Sequence, residues 1–158
     1  ARLLASHPEL LKPGLPEAPV ARVLARTLED LRAGRWWWEQ DAPKADGTTS
    51  WKKHVIDPSW SQVHCLVWAD LDGDGRKELV TGKRYRAHNG HDPGEWDDNG
   101  IYYFKWNREQ EKFTKFPVVE NGPGIGLQIR VADLDGNGWK DLVCAGKSGT
   151  HILWNQAP

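Results

Sequence analysis

The sequence predicts a mainly β protein, built from two copies of one β unit behind an N-terminal helical arm. Three observations carry that prediction. An acidic loop occurs twice, first as Asp70-Leu71-Asp72-Gly73-Asp74-Gly75-Arg76-Lys77-Glu78 and, sixty-three positions later, as Asp133-Leu134-Asp135-Gly136-Asn137-Gly138-Trp139-Lys140-Asp141. Each copy is entered through a short apolar run (66–69, 129–132) and left through another (78–81, 141–144). Runs this short and rich in β-branched residues read as buried strands rather than helices. A period of this length, with several strands per unit, marks a radial array of small sheets in which no unit can bury both its faces alone.

Residues 1–35 are expected to form the helical arm. Ser6-His7-Pro8-Glu9 has the spacing of a capping box, Leu10 and Leu11 follow, and Lys12-Pro13 ends that first helix. A second helix is expected over 19–33, where Val20, Val23, Leu24, Leu28 and Leu31 share one stripe and Gly34 stands in the C-terminal capping position. Residues 36–50 form a Trp-rich strand and loop. Alternate side chains of a strand point to opposite faces, so Trp36-Trp37-Trp38 cannot all enter one core. The stretch 41–50, with Pro43 and Asp46-Gly47, reads as a loop. Residues 51–158 hold the two repeats, with the acidic loops at 70–78 and 133–141.

Each acidic loop has the pattern of a calcium site. Oxygen side chains stand at positions 1, 3, 5 and 9, and glycines at 4 and 6 let the backbone turn tightly round a hard cation. An EF-hand is excluded, because its position 12 requires a bidentate Glu and these loops have Thr81 and Cys144 there. Two calcium ions are expected. Asp70, Asp72, Asp74, Glu78 and the carbonyl of Arg76 would hold one; Asp133, Asp135, Asn137, Asp141 and the carbonyl of Trp139 would hold the other. The second should bind more weakly, since Asn137 replaces a carboxylate with a neutral amide.

The order strand, DxDGDGxxD/E, then Leu-Val with a small residue and Gly resembles the calcium-binding FG-GAP or VCBS repeat, the blade of many seven-bladed β-propellers. The resemblance covers roughly residues 51–155 and implies two blades of an incomplete β-propeller. Propellers need at least four blades to close, so the expected partners are further blades or other protein subunits. Within that family, Ser59-Trp60-Ser61-Gln62-Val63-His64 and the stretches 81–94 and 145–149 are similar to the propeller of aldos-2-ulose dehydratase and its bacterial relatives, which act on keto-sugars.

Two function classes follow: a non-catalytic calcium-stabilised segment for binding or assembly, which is preferred, and part of a keto-sugar lyase or isomerase site. The chemistry of the second would centre on the polar insertion after Lys83. Arg84, Arg86, His88, Asn89, His91, Asp92, Glu95, Asp97 and Asp98 crowd it, and long polar loops on a rigid scaffold are where sites are built. His88, His91 and Glu95 have a spacing that could hold a further divalent metal such as Zn2+ or Mg2+. His64 and Gln128 fall in strands that would line a propeller channel. Lys83 and Lys147 both follow a glycine, one position out of register. In that scheme His64 or His88 is the general base for proton abstraction beside the keto group, and Lys83 or a cation stabilises the enolate. Arg84, Asn89, Gln128 and Lys147 would bind the ligand.

Net charge is −1, which gives no electrostatic reason for nucleic acid or an anionic membrane. No apolar stretch is long enough to span a membrane, and no hydrolase elbow, phosphate loop or dinucleotide fingerprint is present. The 10 Trp against 3 Phe, 3 Tyr and no Met suit both gap-filling between blades and stacking on a sugar ring. An extracytoplasmic (secreted or periplasmic) location is expected, because loops of this affinity would not load at cytosolic calcium and the chain starts at Ala1 without Met. Cys65 and Cys144 stand at non-equivalent repeat positions and read as buried free thiols.

Overall fold

The structure, a computed structural model, describes residues 35–86, 91–92 and 94–156. The helical arm expected over 1–35 lies outside them except for Arg35. His88 and Asn89 also lie outside.

Among the described residues the chain forms nine strands in three antiparallel sheets. β1 (Arg35–Gln40) and β2 (Trp51–Asp57) make a hairpin; β3 (Val63–Ala69), β4 (Glu78–Lys83), β5 (Gly100–Asn107) and β6 (Lys112–Glu120) make a four-stranded meander; β7 (Gln128–Ala132), β8 (Asp141–Gly146) and β9 (Gly149–Leu153) make a three-stranded one. The four runs flanking the acidic loops are strands, as expected, and the fold is mainly β. These residues form a stack of three sheets, and no closed propeller is formed among them.

β2, grouped with the repeats by sequence, pairs with β1, from Trp36↔Val55 to Gln40↔Trp51. The loop between them closes on itself: the Lys44 N–H donates to Thr48 O at 2.9 Å, Asp46 accepts from the Thr48 N–H at 2.9 Å, and Gly47 takes φ +77°. The Trp triplet divides by strand alternation. Trp37 turns inward, stacked on His54 at 4.1 Å and edge-on to Trp106 at 5.2 Å, while the Lys53 ammonium lies 3.8 Å from the Trp36 ring and 5.6 Å from that of Trp38.

The four-stranded sheet is covered on both faces. On one, Leu79 and Phe104 pack with Trp60, Ile56, Leu66, Tyr102 and Phe113, towards the β1–β2 hairpin. On the other, Ala69, Val80 and Ile101 meet Ile129, Leu142 and Cys144 of the three-stranded sheet, with β3 lying against β7. Neighbours along a strand thus serve opposite cores, which is why Leu79 and Val80 are both apolar. Cys144 is fully buried among these side chains, and burial pushes its thiol up to about 11. Both cysteines are free.

Loop register makes Leu79 equivalent to Leu142 and Val80 equivalent to Val143. Leu142 packs onto the first sheet as Leu79 packs onto the hairpin, so the sheets stack head to tail in one sense. The outward face of the last sheet bears Val143, Ile152 at 46 % exposure and Trp154 at 51 %. Its counterpart on the first sheet, with Val80, is covered.

Asp57 ends β2 and ties the hairpin to the meander. It accepts from Ser59 N and Trp60 Nε1, both at 2.8 Å, and pairs with Lys115 of β6 at 3.0 Å. Burial alone would raise its pKa; the bonds from Ser59, Lys115 and Trp60 outweigh that and hold it at about 2. Because the folded value lies below the unfolded one, this anchor stabilises the fold above pH about 4 and loses its contribution as pH falls towards 2. Asp57→Asn is therefore expected to flatten the acid limb of a stability-versus-pH curve, with a loss of about 2 kcal/mol at pH 7 in denaturant titrations. An unchanged acid limb would contradict this role.

Candidate metal centre

Both acidic loops connect the first two strands of a sheet and share four internal bonds, to which the second loop adds Gly136 N to Asp133 Oδ1 at 2.8 Å and Asn137 Nδ2 to Asp135 Oδ2 at 3.1 Å. The position-1 carboxylate accepts from the position-6 N–H: Gly75 to Asp70 at 3.0 Å, Gly138 to Asp133 at 2.9 Å. Position 3 accepts from the N–H of position 5, at 3.4 Å for Asp74 to Asp72 and 3.1 Å for Asn137 to Asp135. Position 5 accepts from position 7, Arg76 to Asp74 and Trp139 to Asn137, each at 2.8 Å. Position 9 accepts from position 2, Leu71 to Glu78 and Leu134 to Asp141, again each at 2.8 Å. The glycines at 4 and 6 all have positive φ, from +71° to +90°, which L side chains rarely adopt. Backbone donors thus hold these side chains in place; in the second loop they occupy both oxygens of Asp133, from Gly136 N and Gly138 N, and both of Asp141, from Leu134 N and Asn155 N.

Ligand atoms of Asp70, Asp72 and Glu78 lie within 4.8 Å of one another, as do those of Asp133, Asp135 and Asp141. Two acidic clusters that could hold a metal ion are therefore present. Glu78 is 2 % exposed and Asp141 fully buried, both at the start of an inner strand. Burial raises the Glu78 pKa, and the neighbouring Asp72 and Asp74 charges add to that; the Leu71 N–H and Lys105 oppose it. Asp70 Oδ1 is buried and accepts no hydrogen bond, an anionic oxygen with its charge uncompensated by any donor. All donors in the two clusters are hard oxygens, which fits a cation such as calcium or magnesium and does not fit the nitrogen and sulfur sets of zinc. Asp74 stays outside the convergent group, 3.9 Å from the Lys105 ammonium.

The two loops touch. Asn155, just past β9, donates from Nδ2 to Leu71 O of the first loop at 2.7 Å and to Lys140 O of the second at 3.2 Å. Its backbone N–H reaches Asp141 Oδ1 at 2.8 Å, and its carbonyl accepts from Asn137 Nδ2. The Trp139 ring lies 3.7 Å from where a Cβ on Gly73 would stand. Neither Asn155 nor Lys105 was marked by sequence, since nothing in its local context distinguishes it; each arrives from a strand paired later in the chain.

The other candidate residues do not gather into one site. Lys83 is 2 % exposed, and its Nζ donates to Glu95 O at 3.0 Å; burial lowers its pKa against the pull of Asp97, Glu95 and Asp98. This amine is buried and committed to a backbone carbonyl. Glu95 is equally buried, with Oε2 making no hydrogen bond, whereas His91 is exposed. Among the described residues, His91 and Glu95 belong to no metal-ligating cluster. His64 is half-buried within β3; Gln128 is exposed at the start of β7 and accepts from Arg130 at 3.4 Å. Lys147 donates to Arg86 O at 2.8 Å, and the Arg86 guanidinium stacks 3.7 Å from the Trp96 ring. Arg84 donates its backbone N–H to Gln62 O at 3.3 Å.

Compared with known proteins, the chain matches no family model, no curated protein and no solved structure.

Proposed function

We propose that this chain is a calcium-stabilised segment of a β-propeller of the FG-GAP/VCBS kind, acting as a binding or assembly module within a larger protein or complex. The observation that carries the proposal is the pair of loops that share four internal hydrogen bonds and whose carboxylates converge on two points. Convergent anions at these separations repel strongly, and a divalent cation is the natural compensation. The uncompensated Asp70 Oδ1 supports the same conclusion. Calcium is favoured over magnesium because these loops offer several carboxylates and carbonyls in a pliable turn, while magnesium keeps most of its waters. Such sites would load in an extracytoplasmic compartment.

The head-to-tail stack and the outward face bearing Val143, Ile152 and Trp154 support the assembly part, with further blades or subunits as the partners. A keto-sugar lyase role is the weaker alternative, since the Lys83 amine it would use is buried against Glu95 O.

Calorimetric titration of the chelator-treated protein should return two bound calcium ions and a raised melting temperature. Absence of uptake rejects the calcium proposal. Sedimentation of the lone chain should show self-association or dependence on a partner; a monodisperse 17.9 kDa monomer that unfolds cooperatively rejects the assembly proposal.

A further inference from the structure

We propose that Lys105 is a built-in competitor for the cation of the first loop, and that it cancels the advantage which that loop's extra carboxylate would give. The inference rests on the calcium proposal above and concerns a residue outside the loop motif. Lys105 lies on β5 immediately after Phe104, whose partner on β4 is Leu79, so it stands across from Glu78. Its ammonium donates to Asp72 Oδ2 and sits 3.9 Å from Asp74 Oδ2. It thus offsets one of the two negative charges of the position-3 and position-5 carboxylates, the former a member of the convergent group.

The second loop supplies an internal control. Leu142 pairs with Leu153 as Leu79 pairs with Phe104, so the residue equivalent to Lys105 is Trp154, which carries no charge and is 51 % exposed. Counting only the side chains at loop positions 1, 3, 5 and 9, four carboxylates less the Lys105 ammonium in the first loop match the three carboxylates of the second. A cation entering the first loop must break the Lys105–Asp72 pair and then remain near the displaced ammonium; one entering the second loop does neither. The ranking expected from ligand charge alone, first loop tighter than second, is therefore erased.

The test measures each loop separately by calcium calorimetry on the full chain. Asp135→Asn disables the second loop and reports the first; Asp72→Asn does the converse. Lys105→Met in the Asp135→Asn background should tighten calcium binding about two- to fivefold, the scale of a partly exposed ion pair. In the Asp72→Asn background, Lys105→Met should leave the second loop unchanged, and Trp154→Lys should weaken it to a similar degree. The Lys105→Met effect should shrink as salt rises and screens the ammonium. Unchanged or weaker binding at the first loop after Lys105→Met overturns the proposal while leaving the calcium reading intact. A parent protein that takes up no calcium at either loop rejects both, and so distinguishes the two failures.

Discussion

Asp141→Ala is expected to cost about 3 to 5 kcal/mol in the chelated protein, close to the whole stability of many small domains. The carboxylate is fully buried, and its two oxygens accept from Leu134 N and Asn155 N at 2.8 Å. Alanine leaves both donors without an acceptor, opens a small void at the head of β8 and frees Asn155, which binds the loops together. Asp135→Ala, at an exposed position of the same loop, should abolish ion uptake there while changing ion-free stability by under about 1 kcal/mol. Denaturant titrations of the two variants with and without calcium separate the roles. Equal ion-free midpoints for Asp141→Ala and the parent would show that the position-9 carboxylate is only a ligand.

The second large effect is expected at Gly126→Ala. A Cβ there would lie 1.5 Å from Ala145 O, 2.6 Å from Ala145 C and 3.0 Å from Gly146 Cα, all backbone atoms of β8 or its end. Backbone of a core strand cannot give way as a side chain tip does, and β8 carries Leu142 and Cys144 into the core between the sheets. The segment entering β7 must move off β8, at a cost of about 3 kcal/mol or more. Gly47→Ala is the control, with open space around its Cβ but φ +77°. Left-handed strain alone should cost it about 1 kcal/mol. Thermal melts that rank Gly47→Ala as the more damaging would refute the close-approach account.

Much of the loop architecture was legible in the sequence. The paired Asp-x-Asp-Gly patterns and the four flanking apolar runs are local signals, and the strands Val63–Ala69, Glu78–Lys83, Gln128–Ala132 and Asp141–Gly146 contain those runs. The opposite orientations within Trp36-Trp37-Trp38 also followed from alternation alone. The β1–β2 pairing was not legible, because residues 51–57 carry no signal that selects the preceding strand over the following one. β6 was hidden for another reason: Lys112–Glu120 mixes exposed Lys and Thr with half-buried Phe113, Phe116 and Val118, and even contains Pro117, as an edge strand can. The burial of Lys83 was not legible either. Lys83 has the composition of a reactive amine in a polar insertion, but β4 carries it inward, where burial decides its state.

The contact from Asn155 Nδ2 to Leu71 O spans 84 positions of sequence, and it has a bearing on the order of events in folding. Each sheet is a simple meander whose strands find their neighbours locally, so hairpins can form early and independently. The first acidic loop is different. During synthesis it emerges, with its bounding hairpin, long before residue 155 leaves the ribosome, and until then Leu71 O lacks its partner from beyond β9. Its final closure is thus the latest step available to this stretch of chain, and a clock set by translation stands between a nascent first loop and its finished form.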